Sequence, residues 1–141
     1  MQSVLILNTD ISVTSVNEVT EKLSNNNSLT VAVCNANTLV RCYRNERLRK
    51  IINSFDIKCP DGFPVAKGSS ILYKNQQRRV DGFNIFIETI EKGLDNNLSH
   101  YFFGNEEDVT KKMIKNLEKN YPKINVVGYQ CPPFGKVDKL L

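Results

Sequence analysis

The residue with the clearest chemical potential in this chain is Asp61, which lies in the tetrapeptide Cys59-Pro60-Asp61-Gly62. A carboxylate at the end of a strand, with glycine after it, can project into a cleft and accept a proton from a reacting hydroxyl. Pro-Asp-Gly is also a common turn sequence, because proline presets one backbone angle and glycine tolerates left-handed conformations. The tripeptide by itself therefore leaves open both a catalytic base and an ordinary turn.

Two further groups of polar side chains have the chemistry to bind a nucleotide and a sugar. Asn35 and Asn37 could hydrogen-bond sugar hydroxyls or a uracil ring, whereas Arg78 and Arg79 could hold a pyrophosphate through bidentate bonds. Each group also has a plainer interpretation. The asparagines could cap a helix that starts near Thr38, and a pair of adjacent arginines is most often part of a solvated loop.

Motifs for metal binding and nucleophilic catalysis are sparse. The four cysteines (Cys34, Cys42, Cys59 and Cys131) form no C-x-x-C pair, so we predict reduced thiols and no zinc site. The single histidine, His100, has no cysteine or aspartate at ligand or triad spacing and is interpreted as structural. The sequence contains no G-x-x-x-x-G-K-[ST], G-x-G-x-x-G or G-x-S-x-G motif, which argues against a P-loop NTPase, a standard dinucleotide fold and an α/β-hydrolase.

The apolar pattern indicates the elements that would position these residues. Short β-rich runs alternate with segments of helical spacing, and Ser15 with Glu18 predicts a capping box at the start of the first helix. The β-rich runs are 4–7, 29–34, 101–103 and 124–127, and the helical segments include 48–55, 83–94 and 109–117. This alternation predicts an α/β fold with a Rossmann-like parallel sheet flanked by helices, in one domain over 1–141 whose last part, 131–141, is a loop and tail.

In an open parallel sheet, ligands bind at the carboxyl ends of the strands. Four polar or glycine- and proline-rich loops would lie at such ends, and we predict that they converge. They are 35–37, 60–62, 104–105 and 128–134, with 60–62 following a short strand at 55–58. Gly104 opens a loop into a helix at Glu106, whose N-terminus could bind phosphate, although the acidic residues of that turn more simply complement the helix dipole.

The net charge and the hydropathy pattern indicate which ligands and surfaces the protein could bind. The 141 residues carry a net charge of +4, which fits an anionic ligand or membrane surface but lacks the clustered Lys/Arg density of a nucleic-acid binder. No apolar run reaches the roughly 18 residues that span a bilayer, so any membrane contact would be peripheral. The first residues lack the features of a signal peptide, and we expect a cytoplasmic protein.

Read in order, several segments resemble the WecG/TagA/CpsF glycosyltransferase family from about Val4 to Phe134. Each match alone is weak, and their order and spacing are fairly specific. The matching segments are Asn35 at the end of VAVCN, RLRKIINSFD at 47–56, Pro60-Asp61-Gly62 followed by Val65, Arg79-Val80-Asp81-Gly82, YFFG at 101–104, YPKINVVGY at 121–129 and Pro132-Pro133-Phe134.

The resemblance implies an inverting transfer of a sugar from a UDP-sugar, often UDP-N-acetylmannosamine, to a lipid-linked saccharide in cell-surface polysaccharide synthesis. It implies that neither a divalent metal nor another cofactor is needed, and that Asp61 is the general base. The departing UDP gains negative charge that fixed donors must stabilise, and Arg79 is the candidate donor. The expected substrate-binding residues are Asn35, Asn37, Gly62, Arg79, Asn84, Gly104, Pro133 and Phe134.

The sequence departs from the family pattern at three places, and the first and the last of them favour an alternative function. Val33 stands where the family often has an active-site threonine, and Asn84 stands where it often has an acid. The chain also stops soon after Phe134, so we expect that the C-terminal part of the family fold is missing. The alternative is a catalytically impaired, truncated homologue that binds a nucleotide sugar or a partner. Peripheral contact with the inner face of the cell membrane and a homo-oligomer are both compatible with the sequence.

Overall fold

Strands and helices alternate along the chain as the apolar pattern predicts. The computed structural model describes residues 1–25, 28–133 and 135. The described elements are β1 (Ser3–Ile6), β2 (Thr9–Ser12), α1 (Val16–Asn25), β3 (Val31–Cys34), α2 (Ala36–Arg44), α3 (Glu46–Asn53), β4 (Ile57–Pro60), α4 (Phe63–Tyr73), α5 (Gly82–Asp95), β5 (Ser99–Phe103), α6 (Glu107–Asn120) and β6 (Asn125–Gln130). The fold is α/β, with parallel strand pairs and helices between their strands, which confirms the predicted Rossmann-like class.

The chain divides into two compact units, Met1–Thr89 and Ile90–Leu141. The first unit contains an antiparallel pair, β1 with β2, and a parallel pair, β3 with β4. The second unit contains a parallel pair, β5 with β6, which α6 connects. The expectation of one domain over 1–141 stays a prediction.

The β1–β2 hairpin is a feature that the sequence analysis missed. It predicted one strand at 4–7, whereas the chain turns back at Leu7 and Asn8 and continues as β2. Both turn residues have positive φ, 47° and 60°, a combination that matches the twist of a tight two-residue hairpin. Leucine is an unusual residue at such a position, and Asn8 by itself is a weak signal for a hairpin, so the turn was not predicted.

The β3–β4 pair is clamped at both ends. At its start, the carboxylate of Asp56 accepts hydrogen bonds from the backbone N–H and the hydroxyl of Thr30, at 2.8 and 2.7 Å. These bonds lower the pKa of Asp56. At its end, Cys34 is in register with Pro60, and the N–H of Asp61 donates to the carbonyl of Cys34 at 3.0 Å. All four residues of β4 are buried, and the strand begins two residues later than predicted.

Helices cover both faces of the β3–β4 pair. One apolar cluster joins Ala32 and Cys34 of β3 with Leu39 of α2 and Val65 of α4. A second cluster joins Ile57 and Cys59 of β4 with side chains of α1 and α5, namely Val19 and Ile85. The strands are covered from both sides, which is typical of parallel sheets, and β3 accordingly reads as a continuous apolar run, whereas β4 contains the buried Lys58.

In the second unit, β5 and β6 run parallel from Ser99↔Asn125 to Phe103↔Gln130, with a register shift between His100 and Tyr101. Gly128 lies at this irregularity with φ of 155°, and a Cβ atom there would come within 3.1 Å of the ring of Tyr101. Helix α6 buries Thr110 and Leu117. His100 is part of β5, and burial lowers its pKa. Its structural role stays a prediction.

A buried hydroxyl in β2 gives a test of this packing. Thr9 is fully buried, and its Oγ1 has no hydrogen-bond partner among the described residues. Because an unpaired buried hydroxyl carries a desolvation penalty, we expect Thr9→Val to raise the free energy of unfolding by about 1 kcal/mol. Urea unfolding followed by circular dichroism would measure the change.

Thr20→Val is the matched control. Thr20 is equally buried, but its hydroxyl donates to the carbonyls of Val16 and Asn17 at 3.0 and 3.1 Å. Its replacement should therefore lower the free energy of unfolding. An equal loss of stability in both variants would contradict the assignment at Thr9.

Candidate active site

Asn35 and Asp61 leave the sheet at the same edge. The registered pair Cys34↔Pro60 ends β3 and β4 together, and the residue after each strand is one of these two polar residues. The N–H of Asp61 bonds to the carbonyls of Cys34 and Cys59, both at 3.0 Å, which fixes the backbone at this point. Two of the four predicted strand-end loops are therefore neighbours.

The carboxylate of Asp61 is paired with Arg79. Arg79 Nε donates to Asp61 Oδ1 at 3.2 Å, and the side chains are 22% exposed for Asp61 and 59% exposed for Arg79. A partly exposed pair of this kind contributes little to stability, typically about 0–1 kcal/mol. Its importance is chemical, because it places a proton acceptor and a fixed cation side by side where solvent and ligands can reach them.

Gly62 turns the chain from Asp61 into α4. Its φ of 84° lies in the region that glycine tolerates and other residues avoid, and it stands at the N-cap of the helix without a side-chain cap. Pro64 follows in the first turn, where its missing N–H costs no helical hydrogen bond. The segment Pro60-Asp61-Gly62 thus forms the bend between β4 and α4, and it places Asp61 between the end of the strand and the start of the helix.

The loop at 74–81 delivers Arg79 to this edge. On one side of Arg79, the buried Val80 donates its N–H to the carbonyl of Pro60 at 3.0 Å. On the other side, Gln77 is also buried, and its side chain bonds to the backbone of Thr14. Sequence reasoning missed Gln77, because nothing in the stretch from Gln76 to Arg79 distinguishes it from a solvated polar residue.

A cavity of about 300 Å³ adjoins the Asp61–Arg79 pair. Residues from the first half of α4 form one wall, and the loop at 74–81 forms the other. The lining residues are Phe63, Ala66, Lys67, Gln77, Arg78 and Arg79. Three of these six side chains are cationic, so the cavity suits a ligand that carries negative charge. Phe63 is 73% exposed, which leaves its ring accessible to a ligand.

Asn35 is the N-cap of α2, which confirms the plainer interpretation of its role in the fold. Its Oδ1 accepts bonds from the N–H and the hydroxyl of Thr38, at 3.0 and 3.2 Å. The oxygen is therefore engaged, and the amide nitrogen is the part that could contact a ligand. Asn37 lies exposed in the first turn of the same helix. Substrate binding by either residue stays a prediction.

Asn84 belongs to the cap of α5. Its N–H donates to Asp81 Oδ1 at 3.1 Å, and its Nδ2 donates to Asp81 Oδ2 at 2.8 Å. These bonds lower the pKa of Asp81. The bond from the Asn84 N–H has the largest effect, and the Asn84 side-chain amide and the charge of Arg79 have smaller effects in the same direction. Val33 lies close by, since its Cγ2 would be 3.6 Å from a Cβ at Gly82, and it is 40% exposed.

The remaining predicted residues belong to the second unit. Gly104 directly follows β5 and has a φ of 114°. Its N–H donates to the carbonyl of Gln130 at 2.9 Å, so the loops after β5 and β6 begin at the same end of this strand pair. Glu107 in the first turn of α6 pairs with Lys111 at 2.7 Å, which lowers the pKa of that glutamate. Pro133 is exposed, and Phe134 lies outside the described residues.

The buried thiols are poor nucleophiles. Burial raises the pKa of Cys34 to about 11 and that of Cys59 to about 12, so both remain protonated near neutral pH. In the part of the chain that the structure describes, no group of three or more His, Cys, Asp or Glu side chains is arranged to hold a metal ion. Over the same residues, no helix has the length and apolar character needed to cross a bilayer.

Residues 4–140 match the family described as "Glycosyl transferase WecG/TagA/CpsF family". The match covers almost the whole chain, including both parallel strand pairs and the Asp61–Arg79 pair. This chain belongs to the WecG/TagA/CpsF glycosyltransferase family. Membership confirms the resemblance carried by the ordered motifs from Asn35 to the segment at 121–129.

Two relatives with the same name are similar to the chain. The N-acetylglucosaminyldiphosphoundecaprenol N-acetyl-beta-D-mannosaminyltransferase of Bacillus spizizenii strain W23 is 24% identical over 110 residues, which are 78% of this chain and 43% of that protein. The protein of that name from Bacillus subtilis strain 168 is 25% identical over 79 residues, which are 56% of this chain and 31% of that protein. The chain thus matches less than half the length of each of these relatives.

The Asp81 cap provides a pH-dependent test of the site's geometry. Because its folded pKa lies below the ordinary 3.8, Asp81 stabilises the fold fully above that value and loses this contribution as pH falls through the lowered pKa. We expect Asp81→Ala to lower the free energy of unfolding by about 1 kcal/mol at pH 7. The difference from the parent should shrink as the pH falls below 3.8.

Urea titrations at several pH values would measure this difference. Asp95→Ala is the control, because Asp95 is exposed at the opposite end of α5 and should not stabilise it there. A stability difference for Asp81→Ala that does not change with pH would show that the carboxylate is not the capping group.

Proposed function

We propose that this chain is a glycosyltransferase in which Asp61 is the general base and Arg79 stabilises the departing nucleoside diphosphate. The observation that carries the proposal is the Asp61–Arg79 pair, 3.2 Å apart at the carboxyl end of the buried strand β4 and beside a cationic cavity. Family membership supports sugar transfer. The names of the relatives support N-acetylmannosamine as the sugar, for which UDP is the proposed carrier.

In the proposed reaction, Asp61 takes the proton of the acceptor hydroxyl as its oxygen attacks the anomeric carbon. The bond between that carbon and the diphosphate oxygen breaks, and UDP leaves with the electron pair from the opposite face, so the anomeric configuration inverts. Arg79 contacts Asp61 through Nε, and its two terminal amino groups can donate to the diphosphate oxygens. One side chain would then orient the base and neutralise the leaving group.

The other predicted residues have graded support. Asn35, Asn37, Gly62 and Asn84 all lie in the first unit near the ends of β3 and β4 or at the start of the helices that follow, which supports sugar or nucleotide binding there. Gly104, Pro133 and Phe134 remain predictions from the family resemblance. No metal or other cofactor is assigned a step.

We further propose that the acceptor is a lipid-linked saccharide. The relatives' names specify a diphosphoundecaprenol-linked N-acetylglucosamine, and such a lipid is held in a membrane. Peripheral association with the inner face of the cell membrane would bring the acceptor hydroxyl to Asp61. The cations of the cavity beside Asp61 would suit the diphosphate of either substrate.

A binding module without turnover is the second candidate. Val33 presents an apolar, 40% exposed side chain near the start of α5, where a hydroxyl group would otherwise be available to a ligand. This candidate predicts nucleotide-sugar binding with no release of UDP in the presence of acceptor.

Replacing Asp61 tests the base assignment. Asp61→Asn keeps the shape of the side chain but cannot accept the proton, so we expect transfer to fall by at least about 100-fold while UDP binding is retained. Radiolabelled transfer to a lipid-diphosphate N-acetylglucosamine acceptor would measure the rate. Glu46→Gln is the control, because Glu46 is 64% exposed and pairs with Lys50 on α3. Unchanged transfer by Asp61→Asn would refute the proposed role.

Replacing Arg79 tests leaving-group stabilisation. We expect Arg79→Ala to lower the rate of transfer by about 100- to 1,000-fold, as the loss of a fixed donor does in other active sites. Arg79→Lys should be intermediate, because lysine keeps the charge but not the forked donors. If the alanine and lysine variants transferred sugar at the parent's rate, Arg79 would not contact the leaving group.

A further inference from the structure

We propose that Gln77 is a positioning residue of the active site, whose buried side-chain amide fixes the peptide that presents Arg79 to Asp61. The expected effect of Gln77 on the rate of sugar transfer rests on the proposed function. The positioning itself rests on geometry alone. Gln77 belongs to none of the motifs that the sequence analysis singled out. It acts on Asp61 indirectly, through the position of Arg79.

The side chain of Gln77 pairs with the backbone of Thr14 as a strand residue would. Its Oε1 accepts from the Thr14 N–H at 2.9 Å, and its Nε2 donates to the Thr14 carbonyl at 2.7 Å. The Thr14 N–H needs an acceptor and the Thr14 carbonyl needs a donor. The side-chain amide of Gln77 can therefore bind Thr14 in only one of its two flipped orientations. The amide is buried, with Gln77 8% exposed, so loss of either bond would leave a polar group without water.

The same amide controls the peptide plane next to Arg79. Gln77 Nε2 also donates to the carbonyl oxygen of Arg78 at 2.6 Å, and that oxygen belongs to the peptide that joins Arg78 to Arg79. On the far side, the N–H of Val80 bonds to the carbonyl of Pro60. The backbone of Arg79 is therefore held from both sides, by Gln77 before it and by the end of β4 after it.

The backbone of Gln77 is anchored as well. Its N–H donates to Asn75 Oδ1 at 3.2 Å, and its carbonyl accepts from the Ser70 hydroxyl at 3.2 Å. Thus Gln77 connects α4, the loop and the segment before α1. These bonds give the loop one fixed path, whereas the Arg79 side chain itself is 59% exposed and makes a single bond to Asp61. Without Gln77, the backbone of Arg79 would be held only from the Val80 side, and the single exposed bond to Asp61 would have to orient its side chain.

A double-mutant cycle distinguishes positioning from general stabilisation. Gln77→Met keeps the side-chain length but removes the amide, and we expect kcat/KM for transfer to fall by about 10- to 100-fold, as small misplacements of catalytic groups do. In an Arg79→Ala background, the same substitution should change kcat/KM less than twofold, because the group that it positions is already absent. Equal losses in both backgrounds would overturn the proposal.

Two variants control for folding. Ser12→Ala removes another buried hydrogen bond, from the Lys58 N–H to the Ser12 hydroxyl at 3.0 Å, and should have the same effect on kcat/KM with or without Arg79. Gln77→Asn retains an amide on a side chain that is one methylene shorter, so it misplaces both bonds with less disturbance of packing. The cycle is repeated with Gln77→Asn if Gln77→Met does not fold.

A second readout does not depend on turnover. An arginine-specific dicarbonyl reagent, with mass spectrometry of the products, measures how fast each guanidinium is modified. We expect Gln77→Met to raise the rate at Arg79 several-fold, towards the rate in Asp61→Asn, with the exposed Arg47 unchanged. An unchanged rate at Arg79 would overturn the positioning role. A raised rate in a chain without transfer activity would support that role and refute the proposed enzymatic function.

Discussion

The parallel pairing of β3 with β4 is the constraint on which the site depends. Cys34 and Pro60 are in register, so the two strands end together and the next residue of each, Asn35 and Asp61, leaves the sheet at one edge. The bond from the Asp61 N–H to the Cys34 carbonyl extends the pairing by one residue. A shift of register by a single residue would move Asp61 to the other face of the strand and away from Arg79.

Burial makes this register stable. β4 is covered on both sides, and the two apolar clusters that cover the strand pair include side chains of α1, α2, α4 and α5. The exposed groups that could bind a ligand are thus attached to a strand pair that is packed on both faces. Such an arrangement suits catalysis, because the catalytic groups must already be oriented when the substrate binds.

The loop that carries Arg79 is held differently. Only Val80 anchors it in an apolar cluster, and the other contacts are polar: the Gln77 amide on Thr14, and Asn75 with Ser69 at 2.9 Å. Hydrogen bonds are directional, so a loop fixed by them has a defined backbone path even where it buries little apolar surface. The two partners of the ion pair are therefore positioned differently. Apolar packing holds the strand that ends before Asp61, whereas hydrogen bonds hold most of the loop that carries Arg79.

Local signals in the sequence predicted helix starts well. Ser15 Oγ accepts the N–H of Glu18 at the start of α1, and Asn35 caps α2, because a capping side chain needs only its own near neighbours. The hairpin at Leu7 and Asn8 was missed, since leucine rarely adopts positive φ and Asn8 lacks the following glycine that marks the commonest hairpin turns. Gln77 was also missed, because its partner Thr14 lies 63 positions earlier in the chain.

The sequence alone determined the α/β class and the family, and it singled out Asp61 as the candidate base, because periodicity, caps and ordered motifs are properties of neighbouring residues or of their order. Only the tertiary structure decided which groups meet. It brought Arg79 to Asp61 across 18 positions and Gln77 to Thr14 across 63. It also showed that Asn35 and Asn84 are engaged in helix caps. These outcomes depend on register and on long-range hydrogen bonds, whose partners no local pattern specifies.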